Sequence, residues 1–283
     1  TYVVYSRNDI ENVNSFECHL STDDVPEDSI QERSEQHRAS SQVFRTYRIA
    51  ISTTIEYSNF HRNAAGVSPS ASDAVKRSAG LAAIVTSITR INSVYNSELS
   101  IHLQLIPNNN ILINITSDLF NNNNGYTLLG QNQTFIDSKI AWDAYDIGHV
   151  FSTGGGGVAI LGSVCSGEKA QGVTGSGQPI NDPFVIDYVA HEIGHQFGAT
   201  HTFNGLGQSC TNSTRTIITA VEPGSGSTIM AYAGICNPVN VQYNSDAYFS
   251  MESLRQIESF VTGDGACSVD TAIVNTAPTI KPL

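Results

Sequence analysis

Apolar and polar positions alternate from Val43 through Phe44, Arg45, Thr46, Tyr47, Arg48, Ile49 and Ala50 to Ile51, the period of a strand with one buried face. Beyond it Ala74, Val75, Leu81, Ile84, Val85, Ile88 and Ile91 recur at spacings of three and four. That spacing predicts a long helix from Ser72 and Asp73 to near Tyr95. Leu99 to Ile106 reads as a strand stopped by Pro107, and Ile111 to Ile115 as another. A loop over Asn121 to Gly125, a short helix over Gln133 to Trp142 and a strand over Ile147 to Phe151 follow. Gly154 to Gly157 lead into Val158 to Leu161, a short apolar run that suits a strand beside a loop. No Lys-Ser/Thr pair and no helix start follow these glycines, which argues against a phosphate-binding loop.

Asp182-Pro183 offers an N-cap and a proline at the first helical position, and Val185, Val189, Ile193 and Phe197 form an apolar stripe at spacing four. A buried helix is predicted there. After Gly198 the pattern turns irregular and rich in Gly, Ser and Thr until Ser250, which caps a last helix along Met251, Leu254, Ile257 and Val261, stopped by Gly263. Strands and helices are thus mixed along the chain. Residues Thr1 to Gln42, with the charged run Ser34 to Arg38, read as a poorly packed arm. Ser268 to Leu283, with Pro278 and Pro282, reads as a linker. The expected division is an arm or pro-segment over 1–42, a domain over 43–267 and a linker over 268–283, with the parent polypeptide continuing beyond it.

A length of 283 residues suits one domain with a full core. The formal net charge of -12 repels a phosphate backbone, so nucleic acid is not an expected partner. The same acidity leaves calcium open as a second cation, with no ligands assigned. No run of apolar residues is long enough to span a bilayer, and Thr1 opens without the basic and apolar parts of a signal peptide, as expected of a processed or trimmed piece. The five cysteines, Cys18, Cys165, Cys210, Cys236 and Cys267, contain no C-x-x-C pair. In a secreted protein they read as two disulfides and one further thiol, with the pairing open. Sequons stand at Asn114, Asn132 and Asn212 and matter only in a glycosylating host.

The chemistry concentrates in His191-Glu192-Ile193-Gly194-His195-Gln196-Phe197-Gly198-Ala199-Thr200-His201. On a helix His191 and His195 share one face a turn apart, so both imidazoles can bind one ion. Gly198 lets the chain leave the helix, and His201 returns as a third ligand. Three histidines with one open position describe a catalytic zinc site, and Glu192 beside them is placed to deprotonate a metal-bound water. A bare H-E-x-x-H arises by chance on surface helices; the added glycine and third histidine make chance a poor account of this segment.

The segment His191-Glu192-x-x-His195-x-x-Gly198-x-x-His201 resembles the zinc signature of the metzincin metalloendopeptidases. Ser227-Thr228-Ile229-Met230-Ala231-Tyr232 resembles that family's Met-turn, with Met230 as an apolar floor beneath the ligands. On its residues alone Met230 reads as core packing. The resemblance covers roughly Val43 to Cys267. The reprolysin- or adamalysin-like branch is favoured on size and element order, and the pappalysins are second because His201 is followed by Thr202-Phe203. The family implies an α+β, two-lobed catalytic domain, with a mixed sheet and two helices in an upper lobe over 43–198 and an irregular lower lobe with a terminal helix over 199–267. It implies an edge strand over Gly157 to Val164 that pairs with an extended polypeptide substrate. Tyr232 resembles the tyrosine that some members place on zinc at rest and on the oxyanion later, beside an ordinary hydrogen-bonding role in the lower lobe.

Cys18 is then a candidate fourth ligand in a latent form, its thiolate on zinc, with a disulfide or an unbound thiol as the alternatives. The expected function is that of a secreted, monomeric zinc endopeptidase in which zinc polarises the scissile carbonyl and Glu192 is the general base. The alternatives are a catalytically inactive zinc-binding adhesion module and a zinc hydrolase of a non-peptide substrate.

Overall fold

A computed structural model describes residues 18–19 and 43–274. The rest of the arm over 1–42, including its charged run, and residues 275–283 lie outside them. Among the described residues seven strands form one mixed sheet in the order β1-β5-β6-β4-β2-β3, with β7 also on β2. They are β1 (Cys18–His19), β2 (Val43–Thr53), β3 (Ile101–Leu105), β4 (Ile147–Ser152), β5 (Gly156–Ala159), β6 (Gly172–Gly175) and β7 (Val269–Ala272). Pairing is parallel except for β5 with β6 and β2 with β7.

The alternation along β2 sends its side chains to two different layers, as period two requires. Tyr47, Ile49 and Ile51 pack with Ile84, Ile88 and Ile91 of α2 (Asp73–Leu99) and with Ile193 and Phe197 of the metal-site helix. Ala50 faces the other way, toward Ile136 of α3 (Gly125–Lys139). Leu128 and Leu129 of α3 cover Val150 of β4, Val158 of β5 and Val173 of β6. The sheet thus lies between α3 on one side and α2 with the metal-site helix on the other, an α+β arrangement around a mixed sheet. Each fully buried aliphatic side chain contributes roughly 1.5–3 kcal/mol.

Several elements differ from the pattern-based expectation. A helix α1 (Ile55–Ala64) precedes the long one, capped by Thr54, whose hydroxyl accepts from the Tyr57 N–H. Ile111 to Ile115 is not a strand: a 3-10 turn spans Asn109–Leu112, and the Asn109 amide accepts from Ile51 N–H and donates to Ile51 C=O, both at 2.8 Å. That side chain satisfies the β2 backbone where a neighbouring strand would otherwise do so. The helix expected over Gln133 to Trp142 begins earlier, at Gly125, because Asn124 caps it through Thr127 N–H. Asp182 is not the N-cap of its helix but lies in the first turn of α4 (Asn181–Phe184), where both oxygens accept from Arg90 at 2.9 Å. Within the linker-like segment from Ser268, β7 pairs with Val43 to Thr46 of β2. The last helix, α6 (Met251–Val261), is capped by Ser250 through Ser253 N–H.

The disulfides are Cys165–Cys267, which ties the loop after β5 to the chain just before β7, and Cys210–Cys236. Cys18 is outside both and is buried. Among the described residues no helix is long and apolar enough to cross a membrane.

Candidate metal centre

The helical run that carries the motif passes from α4 through a wider π-helical stretch, Val185–Ala190, into α5 (His191–Gln196). Its apolar side is locked into the core by Val185, Val189 and Ile193. Its polar anchor is Gln196, whose amide donates to Gly148 C=O at 3.0 Å and accepts from His149 Nδ1–H at 2.8 Å, both on β4. His149 in turn accepts from the Thr174 hydroxyl of β6 at 2.8 Å, and burial pushes its pKa down to about 4, so the ring is neutral. Gly198 follows at φ +85°, in the left-handed region that a side chain disfavours, and turns the chain toward His201.

His191, His195 and His201 converge with Cys18 into a fully buried group whose donor atoms all lie within 4.8 Å of one another. Each imidazole donates its Nδ1–H to a backbone carbonyl: His191 to Ile229 at 2.7 Å, His195 to Ala199 at 2.7 Å and His201 to Thr214 at 2.5 Å. The proton being on Nδ1, each Nε2 presents a lone pair inward. His201 Nε2 lies 3.2 Å from His191 Nε2 and 3.0 Å from His195 Nε2. Cys18 Sγ lies 3.4 Å from both His195 Nε2 and His201 Nε2. Three proton-free nitrogen lone pairs at such separations repel one another unless a cation sits among them. A tetrahedron of zinc–nitrogen and zinc–sulfur bonds has edges of about 3.3–3.6 Å, close to these spacings. Burial pushes His191 down to about 4 and His195 and His201 well below the usual imidazole range, which keeps all three in the neutral, ligating form. The residues present therefore fit a metal ion.

Supports behind the ligands come from the irregular chain after Gly198. Thr202 N–H donates to Met230 C=O at 3.1 Å, and the Glu222 carboxylate accepts from the Thr202 hydroxyl at 2.6 Å and the Ser227 N–H at 2.8 Å. Glu222 thereby ties the His201 segment to the turn that holds Met230. Met230 itself is fully buried beside Ile193, Ile229 and Phe249. The Cys210–Cys236 bridge closes the loop that carries Thr214. These carbonyl and carboxylate partners were not evident from the sequence, because a backbone oxygen carries no residue signature and Glu222 is one of many scattered acids.

The expectation of an open three-histidine site with Glu192 as general base is overturned by this geometry. The donor set is Cys18, His191, His195 and His201, so the position that a reactive water needs is closed by sulfur. Glu192 stands outside the set. Both of its carboxyl oxygens are buried without a hydrogen-bond partner, and burial pushes its pKa up to about 8. The Tyr232 hydroxyl donates to the Cys18 C=O at 2.8 Å, and its ring meets that of His201 edge-on. The strand expected as a bare edge over Gly157 to Val164 is the shorter β5, and β1 covers it in parallel, Cys18 opposite Gly157 and His19 opposite Val158.

A family model described as metallo-peptidase family M12B, Reprolysin-like, matches residues 81–202, less than half of the chain. The match runs from within α2 to the residue after His201 and stops before the turn around Met230. No curated protein matches the sequence. The partial match and the buried Cys/His cluster together support a relationship to the metzincin-like metallopeptidase superfamily, and the chain carries a cluster able to hold a metal ion.

Proposed function

We propose that this chain binds one zinc ion in a closed site formed by Cys18, His191, His195 and His201, and that the ion's role there is structural. The observation that carries this is the convergence of three Nδ1-protonated histidines and one buried cysteine, which supplies a full tetrahedral set. A thiolate with three imidazoles suits zinc, and a structural zinc site is one closed by a fourth protein ligand. Bound there, zinc would supply the charge that keeps a buried thiolate ionised and a crosslink between the arm and α5. Of the metzincin relatives, the M12B match favours the reprolysin-like branch over the pappalysin-like one. We take residues 43–267 as the domain, with the irregular chain after Gly198 as the lower half of a two-lobed arrangement. Two disulfides suit folding in an oxidising, extracellular compartment.

X-ray absorption at the zinc edge of the intact chain tests this, together with a quenched-peptide hydrolysis assay. The expected result is one zinc with three nitrogen neighbours and one sulfur, and no peptide hydrolysis. A shell of nitrogen and oxygen alone would overturn the closed site. Turnover that disappears in Glu192→Ala would overturn the structural role and return Glu192 to a chemical one.

A further inference from the structure

We infer that Tyr232 is the positioning residue that latches the arm onto the metal site, through the backbone of Cys18 rather than through the metal; this rests on the closed-site reading above. Cys18 belongs to β1, which pairs with β5 in parallel, Cys18 opposite Gly157. Its side chain reaches the three histidines only if its backbone is fixed. The Tyr232 hydroxyl does this, donating to the Cys18 C=O at 2.8 Å in a buried position.

The tyrosine is itself immobilised from three sides. Its N–H donates to Ser225 C=O at 2.9 Å, its ring stacks on Phe203 at 4.6 Å between centroids, and the ring meets His201 edge-on at 4.5 Å. Cys18 packs into the same small apolar cluster with Phe203, Cys210, Tyr232, Ile235 and Cys236. A rigid phenol rooted beside the third histidine thus reaches across to the arm, so the ligand carried by the arm and the ligands carried by α5 share one support. The oxygen that makes the contact is a backbone carbonyl, which every residue carries, so the latch leaves no signature at position 18 of the sequence.

The test uses the zinc-loaded full chain and the reactivity of Cys18 toward iodoacetamide, read by mass spectrometry. The other four cysteines are in disulfides, so Cys18 alone reports. Tyr232→Phe keeps the stack on Phe203 and removes only the hydroxyl. It is expected to speed Cys18 alkylation about tenfold, the size of one lost buried hydrogen bond. Tyr47→Phe is the control: it loses another buried bond, from the Tyr47 hydroxyl to Gly265 C=O at 2.7 Å, on β2, which β5, β6 and β4 separate from β1 in the sheet. It should lower thermal stability to a similar degree and leave the alkylation rate unchanged. Cobalt substitution gives a second readout, a sulfur-to-cobalt charge-transfer band that should weaken in Tyr232→Phe and persist in Tyr47→Phe. Wild-type alkylation and a full band in Tyr232→Phe would overturn the latch while leaving the closed site standing. A wild-type chain with no sulfur band at all would overturn the closed site and the latch together.

Discussion

A single missing methyl group decides how close β5 can come to the metal-site helix. At Gly157 a Cβ would collide with the Glu192 carboxyl, backbone of the sheet against side chain of α5. Gly157→Ala therefore has to displace either the strand that pairs with Cys18 or the Glu192 side chain, and should destabilise the fold by about 1–3 kcal/mol. Chemical denaturation checks this; an unchanged midpoint would show that Glu192 swings aside at no cost. A second residue-scale consequence concerns acid. His149 has a folded pKa lowered to about 4 against an ordinary value of 6.5, so between those values the unfolded chain binds the extra proton. The stability that His149 contributes is present above pH 6.5 and is lost as pH falls toward 4. His149→Gln should flatten that acid slope in melting curves taken from pH 7 to 4.5, whatever it does to the absolute melting temperature; parallel slopes in the two proteins would dismiss the idea.

At the scale of elements, what the sequence made legible follows from periodicity. Helix α2 shows an apolar spacing of three and four, β2 alternates, and α6 has a serine cap and a clean stripe. The helix α1 was invisible because its fully buried residues are only Tyr57 and Ser58. Strand β6, Gly172–Gly175, is buried at every position and flanked by its own glycines, so it neither alternates nor looks apolar; β7 is exposed at every position. The histidines were legible because ligands one turn apart leave a local signature. Cys18 lies 177 residues from His195, and no spacing rule spans that distance. The closed donor set, which removes the open position for water, is accordingly a tertiary fact. The Cys210–Cys236 bridge belongs to this scale as well. It closes a loop with a sequence separation of 26, for which chain entropy gives about 3.5 kcal/mol, and that loop presents the Thr214 carbonyl to His201. Replacing both cysteines by alanine should lower stability by about that amount and weaken zinc binding about 10–100-fold, since the hydrogen bond that orients a ligand histidine is worth that much. Competition with a chromophoric chelator measures it, and unaltered zinc affinity would mean Thr214 is held by its own turn contacts.

For the molecule as a whole, an ion held there would join parts far apart in the sequence: β1 at one end of the sheet, the α5 helix packed under the sheet, and the irregular chain that returns with His201. If zinc stabilises only the folded chain, its contribution is RT ln(1 + [L]/Kd), about 4 kcal/mol when free zinc is a thousandfold above Kd. For a chain of this size that corresponds to a fall in melting temperature on the order of 10 °C when the metal is removed. Chelation should produce such a fall, and one equivalent of zinc should restore it. The effect should shrink as pH drops, because buried imidazoles and a thiol must lose or withhold protons to bind the ion, and protons compete for the same lone pairs. Calorimetry with and without chelator at two pH values separates the cases. A melting temperature indifferent to chelator would show that the core between α2, the sheet and α3 stands without the metal, and that the histidine lone pairs are held together by packing alone.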